Sequence, residues 1–175
     1  MEYSLQYAIA EGYKTEEPIR GSAHAAGMDV FLPRGTERMV KDLNEKNGWA
    51  PPAPIAEFND SLPYRISVGP HERIVIPTGL RFNIPEGTYL EVANRGSVAA
   101  KMGLVYGAHI IDEDYGGIVF INLINTTEKW IELESGAKIA QLIHKEYIKS
   151  QPARIPESDI RVTARGDGAL GSTGK

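Results

Sequence analysis

The segment GAHIIDEDYGG, residues 107–117, sets Asp112, Glu113 and Asp114 directly before Tyr115 and a glycine pair. On an extended strand alternate side chains share a face, so Asp112 and Asp114 would point the same way. An acid so placed can act as a general base that draws a proton from water, with the tyrosine packed beside the substrate. An acidic hairpin turn is the plainer reading of the same residues. A second segment, NRGSVAAKMG at 94–103, puts Arg95, Gly96 and Ser97 ahead of a short helix-like run, with Ser97 as its N-cap. Free N–H groups, a hydroxyl and a guanidinium at a helix start make an anion site. A capped helix beside a solvated arginine is the alternative. The C-terminal RGDGALGSTGK carries Gly166, Gly168, Gly171 and Gly174 among Ser172, Thr173 and basic residues. A nucleotide P-loop needs four residues between its glycine and Gly-Lys-Ser/Thr, followed by a helix. Here five residues intervene and the sequence then stops. That reading fails, although the backbone N–H groups of such a segment can still wrap an anion; an unstructured tail is the alternative.

Those residues need a scaffold. The 175 residues suffice for one domain with a full core. Most of the chain reads as short strands between turns. SLQYAIA alternates apolar and polar residues, MDVFL is a short apolar run before Pro33, and residues 65–94 are divided by Gly-Pro, Pro-Thr-Gly and Pro-Glu-Gly. GIVFINLIN, KWIELE and KIAQLIHKEYI continue the pattern, so an all-β sandwich or barrel is expected. TERMVKDLNEKNG is helical in pattern, with Met39, Val40 and Leu43 on one side and Gly48 as a stop. Residues 34–63 are polar and Pro-rich and read as an insertion. The segment is either a surface loop with Trp49 and Phe58 tucked onto the body, or an element that docks a protein partner. From Pro152 the chain has little apolar content and reads as a mobile arm.

Composition excludes several classes. A net charge of −4 argues against a dedicated nucleic-acid binder. There is no cysteine, so disulfides, thiolate chemistry and Cys-ligated zinc are out, and His24, His71, His109 and His144 lack metal-binding spacing. No apolar run is long enough to span a membrane, and the N-terminus lacks a signal-peptide pattern. A soluble, cytoplasmic protein is expected.

Taken in order, five segments resemble the motifs of the trimeric dUTPase family. These are AAGMDV at 25–30, NRGSVAAKMG, GAHIIDEDYGG, GAKIAQLI at 136–143 and RGDGALGSTG. The resemblance covers about residues 5–33 and 64–175. It implies an all-β fold, a β-barrel or jelly roll with one short helix and a mobile C-terminal arm. It also implies a homotrimer with active sites shared between subunits. The tail would then be a lid that closes over a nucleotide bound largely by other chains. The implied reaction is dUTP diphosphatase chemistry, hydrolysis of dUTP to dUMP and pyrophosphate by water attack on the α-phosphorus. Asp112 would be the general base and Tyr115 would pack on the deoxyribose. Arg95, Gly96, Ser97 and Gln141 would serve the phosphates, and Arg165, Gly171, Ser172 and Thr173 would clamp them from the arm. Gly107, Ala108, His109 and Ile111 would belong to the hairpin whose backbone reads the base, and Leu170 would cover the ring. Asp29 would order the site or lie near the metal's water shell. Mg²⁺ would be held through the triphosphate and water, with no direct protein ligand.

Four departures bear on specificity. The second motif reads Arg-Gly-Ser where the family has Arg-Ser-Gly. His109 replaces a small residue, and sits either in the base pocket or behind the hairpin. Ala137-Lys138 stands for Asp-Arg. Leu170 stands for a stacking phenylalanine, forgoing roughly 0.5–1.5 kcal/mol. Two other functions stay open. One is a related deoxypyrimidine triphosphatase or deaminase with shifted base preference, for dCTP or a modified pyrimidine. The other is a regulatory binding protein switched by nucleotide.

Overall fold

The computed structural model describes residues 4–49, 63–164 and 166. Its strands in chain order are β1 (Gln6–Ile9), β2 (Ile19–Arg20), β3 (Gly27–Phe31), β4 (Arg65–Val68), β5 (Arg73–Pro77), β6 (Leu80–Asn83), β7 (Thr88–Ala93), β8 (Leu104–Tyr106), β9 (Ile110–Ile111), β10 (Phe120–Asn125), β11 (Ile131–Glu134) and β12 (Lys138–Glu146). Helix α1 (Glu37–Asn47) lies between β3 and β4, and a π-helical turn, Val98–Met102, follows β7. The expected all-β architecture is present. The largest sheet runs β2-β3-β12-β7-β9; a second runs β5-β10-β8; β1-β6 and β11-β4 are two-stranded. Every pairing is antiparallel.

Alternation builds the core. In β7, Thr88, Leu90 and Val92 face inward, and in β10 Ile121, Leu123 and Asn125 do. The punctuating turns fall where expected, with Gly79 and Gly87 at φ of 74° and 78°, a region that glycine enters without strain. Asn125 is fully buried, and it is satisfied: its Nδ2 donates to carbonyls of Val68, Gly69 and Lys129, and its Oδ1 accepts from Thr127. Among the described residues no helix is long and apolar enough to cross a membrane.

Residues 37–47 are not a surface loop. Met39, Val40 and Leu43 bury fully against the β core, as their helical spacing requires. Thr36 caps the start, its Oγ1 accepting from Met39 N, and Gly48 ends the helix in the left-handed region at φ 66°. Asp42 fastens the helix to the loop after β1, accepting from Tyr13 Oη at 2.7 Å and from Arg38 Nε at 2.8 Å. Burial and that carboxylate push the Tyr13 hydroxyl pKa well up, so it stays a donor. At the other end, Asn47 donates to Val75 O and accepts from Val75 N, pairing the edge of β5 as a strand would. Trp49, expected to tuck onto the body, is 45% exposed. Phe58 lies outside the described residues.

Because Leu43 is 1% exposed, Leu43→Ala leaves a cavity between helix and sheet. We expect a loss of about 2–5 kcal/mol in denaturant unfolding. A loss within experimental error would show that α1 is peripheral.

Candidate active site

The site is built around a buried acid. Asp29 lies in the middle of β3 and is 6% exposed. A lone carboxylate there would be costly, and two cations compensate it. Arg95 Nε reaches Oδ1 at 2.7 Å, and Lys138 Nζ reaches Oδ2 at 2.7 Å. Arg95 arrives from the turn after β7. Lys138 arrives because β12 carries a bulge between Lys138 and Ala140. In a regular ladder Gln141, opposite Asp29, would share its face with residue 139. Ile139 and Ala140 are instead both buried, so the extra residue brings Lys138 onto the face of Gln141.

Gln141 completes this corner. Its Nε2 donates to Asn94 O at 2.8 Å, and Asn94 Oδ1 accepts from Tyr106 N at 3.0 Å. A Cβ on Gly27 would come within 2.2 Å of Gln141 Oε1, so only glycine leaves the glutamine its place. Gly21, Ala25, Gly27, Asp29, Arg95, Gly96, Ser97 and Gln141 together line one cavity of about 240 Å³. Two cations against one acid leave the corner with a positive excess, which suits an anionic group.

Ser97 is not an N-cap. Its own φ and ψ are helical, its side chain makes no capping bond, and Ala99 N donates back to Arg95 O. The hydroxyl instead sits 3.5 Å from Arg95 Nη1 and faces the cavity, while the Cβ position of Gly96 is open. The hydroxyl displaced by one residue therefore still belongs to the site.

The acidic segment forms a second cluster. Asp112 follows the end of β9, and Tyr115 N donates to Asp112 O at 3.1 Å, so residues 112–115 are a turn and not a strand. Strand alternation therefore does not set the directions of Asp112 and Asp114. Both are exposed. Glu113 turns to the body, where Gly87 N donates to its Oε2 at 2.6 Å. That bond first, then Tyr147 and Lys149, hold its pKa below the ordinary 4.5. The stability this brings is present above that value and fades as pH falls through the lowered one. Tyr115 lies over Gly117, its Oη donating to Ile118 O at 2.8 Å, and is 41% exposed. Gly107, Ala108 and His109 form an exposed loop between β8 and β9. His109 is not packed behind it; its ring lies 5.9 Å from that of Tyr106, and Val92 N donates to its carbonyl. Ile111 is 8% exposed with its side chain in the core, which leaves only its backbone for a ligand.

Asp112 and Tyr115 do not line the cavity that holds Asp29, Arg95, Ser97 and Gln141. Arg165, Leu170, Gly171, Ser172 and Thr173 lie outside the described residues. Asn94 and Gly27 were not singled out from the sequence, and Lys138 was noted only as part of the Ala137-Lys138 departure, with no place in the site. The adjacent buried pair Ile139-Ala140 in β12 was the one available sign of the bulge that recruits Lys138.

The chain has known relatives. Residues 55–174 match the dUTPase family. A deoxyuridine 5'-triphosphate nucleotidohydrolase from Candida glabrata is 40% identical over 158 residues, spanning 90% of this chain and 88% of that protein. The Staphylococcus bacteriophage 80alpha dUTPase with dUPNHPP superposes with a TM-score of 0.72 at 22% identity, over 99% of this chain and all of that one. A dUTPase from phage phi11 of S. aureus, described with a structural Mg(II) ion, superposes at 0.64 and 20% identity, over 89% of this chain and 98% of that one. The chain belongs to the dUTPase family.

Gly27→Ala should dislodge Gln141 from Asn94 O and cost about 1–3 kcal/mol in unfolding free energy. Unchanged stability in the alanine variant would mean that Gln141 has room elsewhere.

Proposed function

We propose that this protein is a dUTP diphosphatase, in which Asp112 activates the water that attacks the α-phosphorus of dUTP. Family membership carries the reaction class, and the exposed acid at the head of the turn carries the role. In the reaction a water oxygen bonds to the α-phosphorus as its proton passes to the Asp112 carboxylate. The bridging P–O bond breaks and pyrophosphate leaves. The chemistry calls for positioning and charge neutralisation more than covalent help.

The anion corner supports the phosphate role. Arg95, Ser97 and Gln141 line it, and Gly96 leaves room for a phosphate to approach the backbone. Both Asp29 oxygens are engaged by Arg95 and Lys138, which favours a site-ordering role over one in a metal's water shell. Among the described residues no three His, Cys, Asp or Glu side chains gather into a metal site. Mg²⁺ would be held through the triphosphate and water, and the exposed Asp112 and Asp114 would accept hydrogen bonds from that water. When bound it neutralises phosphate charge. The loop at Gly107, Ala108 and His109 and the backbone of Ile111 read the base, and the Tyr115 ring packs on the deoxyribose. Arg165, Leu170, Gly171, Ser172 and Thr173 close the site from the arm.

The same reading makes the protein a cytoplasmic homotrimer with shared sites. The chain is then one dUTPase-like domain, with residues 34–63 as an insertion and 152–175 as a C-terminal arm. The separation of the acidic turn from the anion corner supports this arrangement, since the neighbouring copy would bring the two together.

Asp112→Asn keeps the shape of the side chain and removes the base. We expect pyrophosphate release from dUTP to fall by about 100-fold or more, while nucleotide binding with Mg²⁺ stays measurable. Near-normal turnover would remove Asp112 from the role.

A further inference from the structure

The turn that carries Asp112 begins where the sheet stops holding it. The last ladder pair before it is Ile111 with Leu90. Inside the turn, Tyr115 N to Asp112 O and Tyr115 Oη to Ile118 O are local bonds, and they shape the turn without fixing it to the body. Contacts at Glu113 and at Gly116 do fix it. Glu113 Oε2 accepts from Gly87 N at 2.6 Å, and Arg81 Nε donates to Gly116 O at 2.7 Å. Both partners belong to β6 and the turn that follows it, and Lys149, beyond β12, adds a longer contact of 3.5 Å to Glu113 Oε1. Arg81 points outward from β6 between the buried Leu80 and Phe82. The turn is thus held at its second residue and at its fifth, on either side of Tyr115.

We propose that Arg81 and Glu113 are positioning residues for the hydrolytic reaction, clamping the 112–117 turn so that Asp112 and Tyr115 hold their working places. The proposal rests on Asp112 being the base. Of the three consecutive acids, the outer two are exposed, and the middle one is the anchor. Reaction rates are sensitive to such anchoring, because a displacement of about 1 Å in a reacting group can cost about 100-fold.

The test uses the full-length protein and the variants Arg81→Met, Glu113→Ala, the double variant and Glu113→Gln. It measures kcat and KM for dUTP with Mg²⁺, hydrogen exchange at the Tyr115 amide, and thermal midpoints. The expected result is a fall in kcat of about tenfold or more for each single variant, with KM within about twofold. Faster Tyr115 exchange accompanies it, with a small fall in thermal midpoint for the Glu113 variants and a cooperative unfolding transition throughout. Glu113→Gln recovers most of the kcat, because its carbonyl oxygen can still accept from Gly87. Wild-type kcat in the double variant overturns the proposal, as does a glutamine no better than alanine. If the wild-type protein does not hydrolyse dUTP, the functional reading fails by itself. Exchange at Tyr115 then decides the clamp, and unchanged protection in the double variant rejects it.

Discussion

The two-cation grip on Asp29 organises the site. β3, β12 and β7 are neighbours in the largest sheet, and the grip ties all three at one point: the acid from β3, Lys138 from the β12 bulge and Arg95 from the end of β7. Removing one cation would leave a buried carboxylate undercompensated, whereas removing the acid would leave two cations side by side without it. The grip also sets the direction of Arg95. With Nε committed to Asp29, the rest of the guanidinium is held beside Ser97 in place of sweeping through solvent. Rigidity of this kind spares an anion-binding arginine the entropy of being ordered when ligand arrives.

Around that corner the protein divides its labour. The sheet holds the anion corner through its ladder, and the acidic turn hangs beyond the ladder on side-chain contacts to β6, its turn and the stretch after β12. Helix α1 braces a different edge, where Asn47 substitutes for a strand along β5. The segment in which α1 lies is therefore partly core, through Met39, Val40 and Leu43, whatever else its remaining residues do.

Much of this was legible in the sequence. The strand pieces between Gly-Pro, Pro-Thr-Gly and Pro-Glu-Gly became β4, β5, β6 and β7, because turn chemistry and alternation are local signals. The helix ran from the Thr36 cap to the Gly48 stop for the same reason. Arg95, Ser97, Gln141 and Asp29 did converge. What escaped was anything that depends on register. Lys138 reaches Asp29 only because a bulge rotates it, and a bulge leaves a faint mark in a single sequence. Ser97 looked like a cap by residue type, yet the turn starts at Arg95. Asp112 and Asp114 looked like strand neighbours, yet Tyr115 N closes a turn onto Asp112. The shielding of Gln141 by Gly27 is a three-dimensional fit between β3 and β12, with no local signature.

On the proposed function, the anion corner and the acidic turn meet only between copies of the chain. The most direct measurement is complementation between two inactive variants, Asp112→Asn and Arg95→Met, coexpressed and purified as mixed oligomers. Pyrophosphate release from dUTP should reappear in the mixture, because some sites pair an intact turn from one chain with an intact corner from another. Activity no higher than that of the separate variants, in oligomers shown to be mixed, would contradict it.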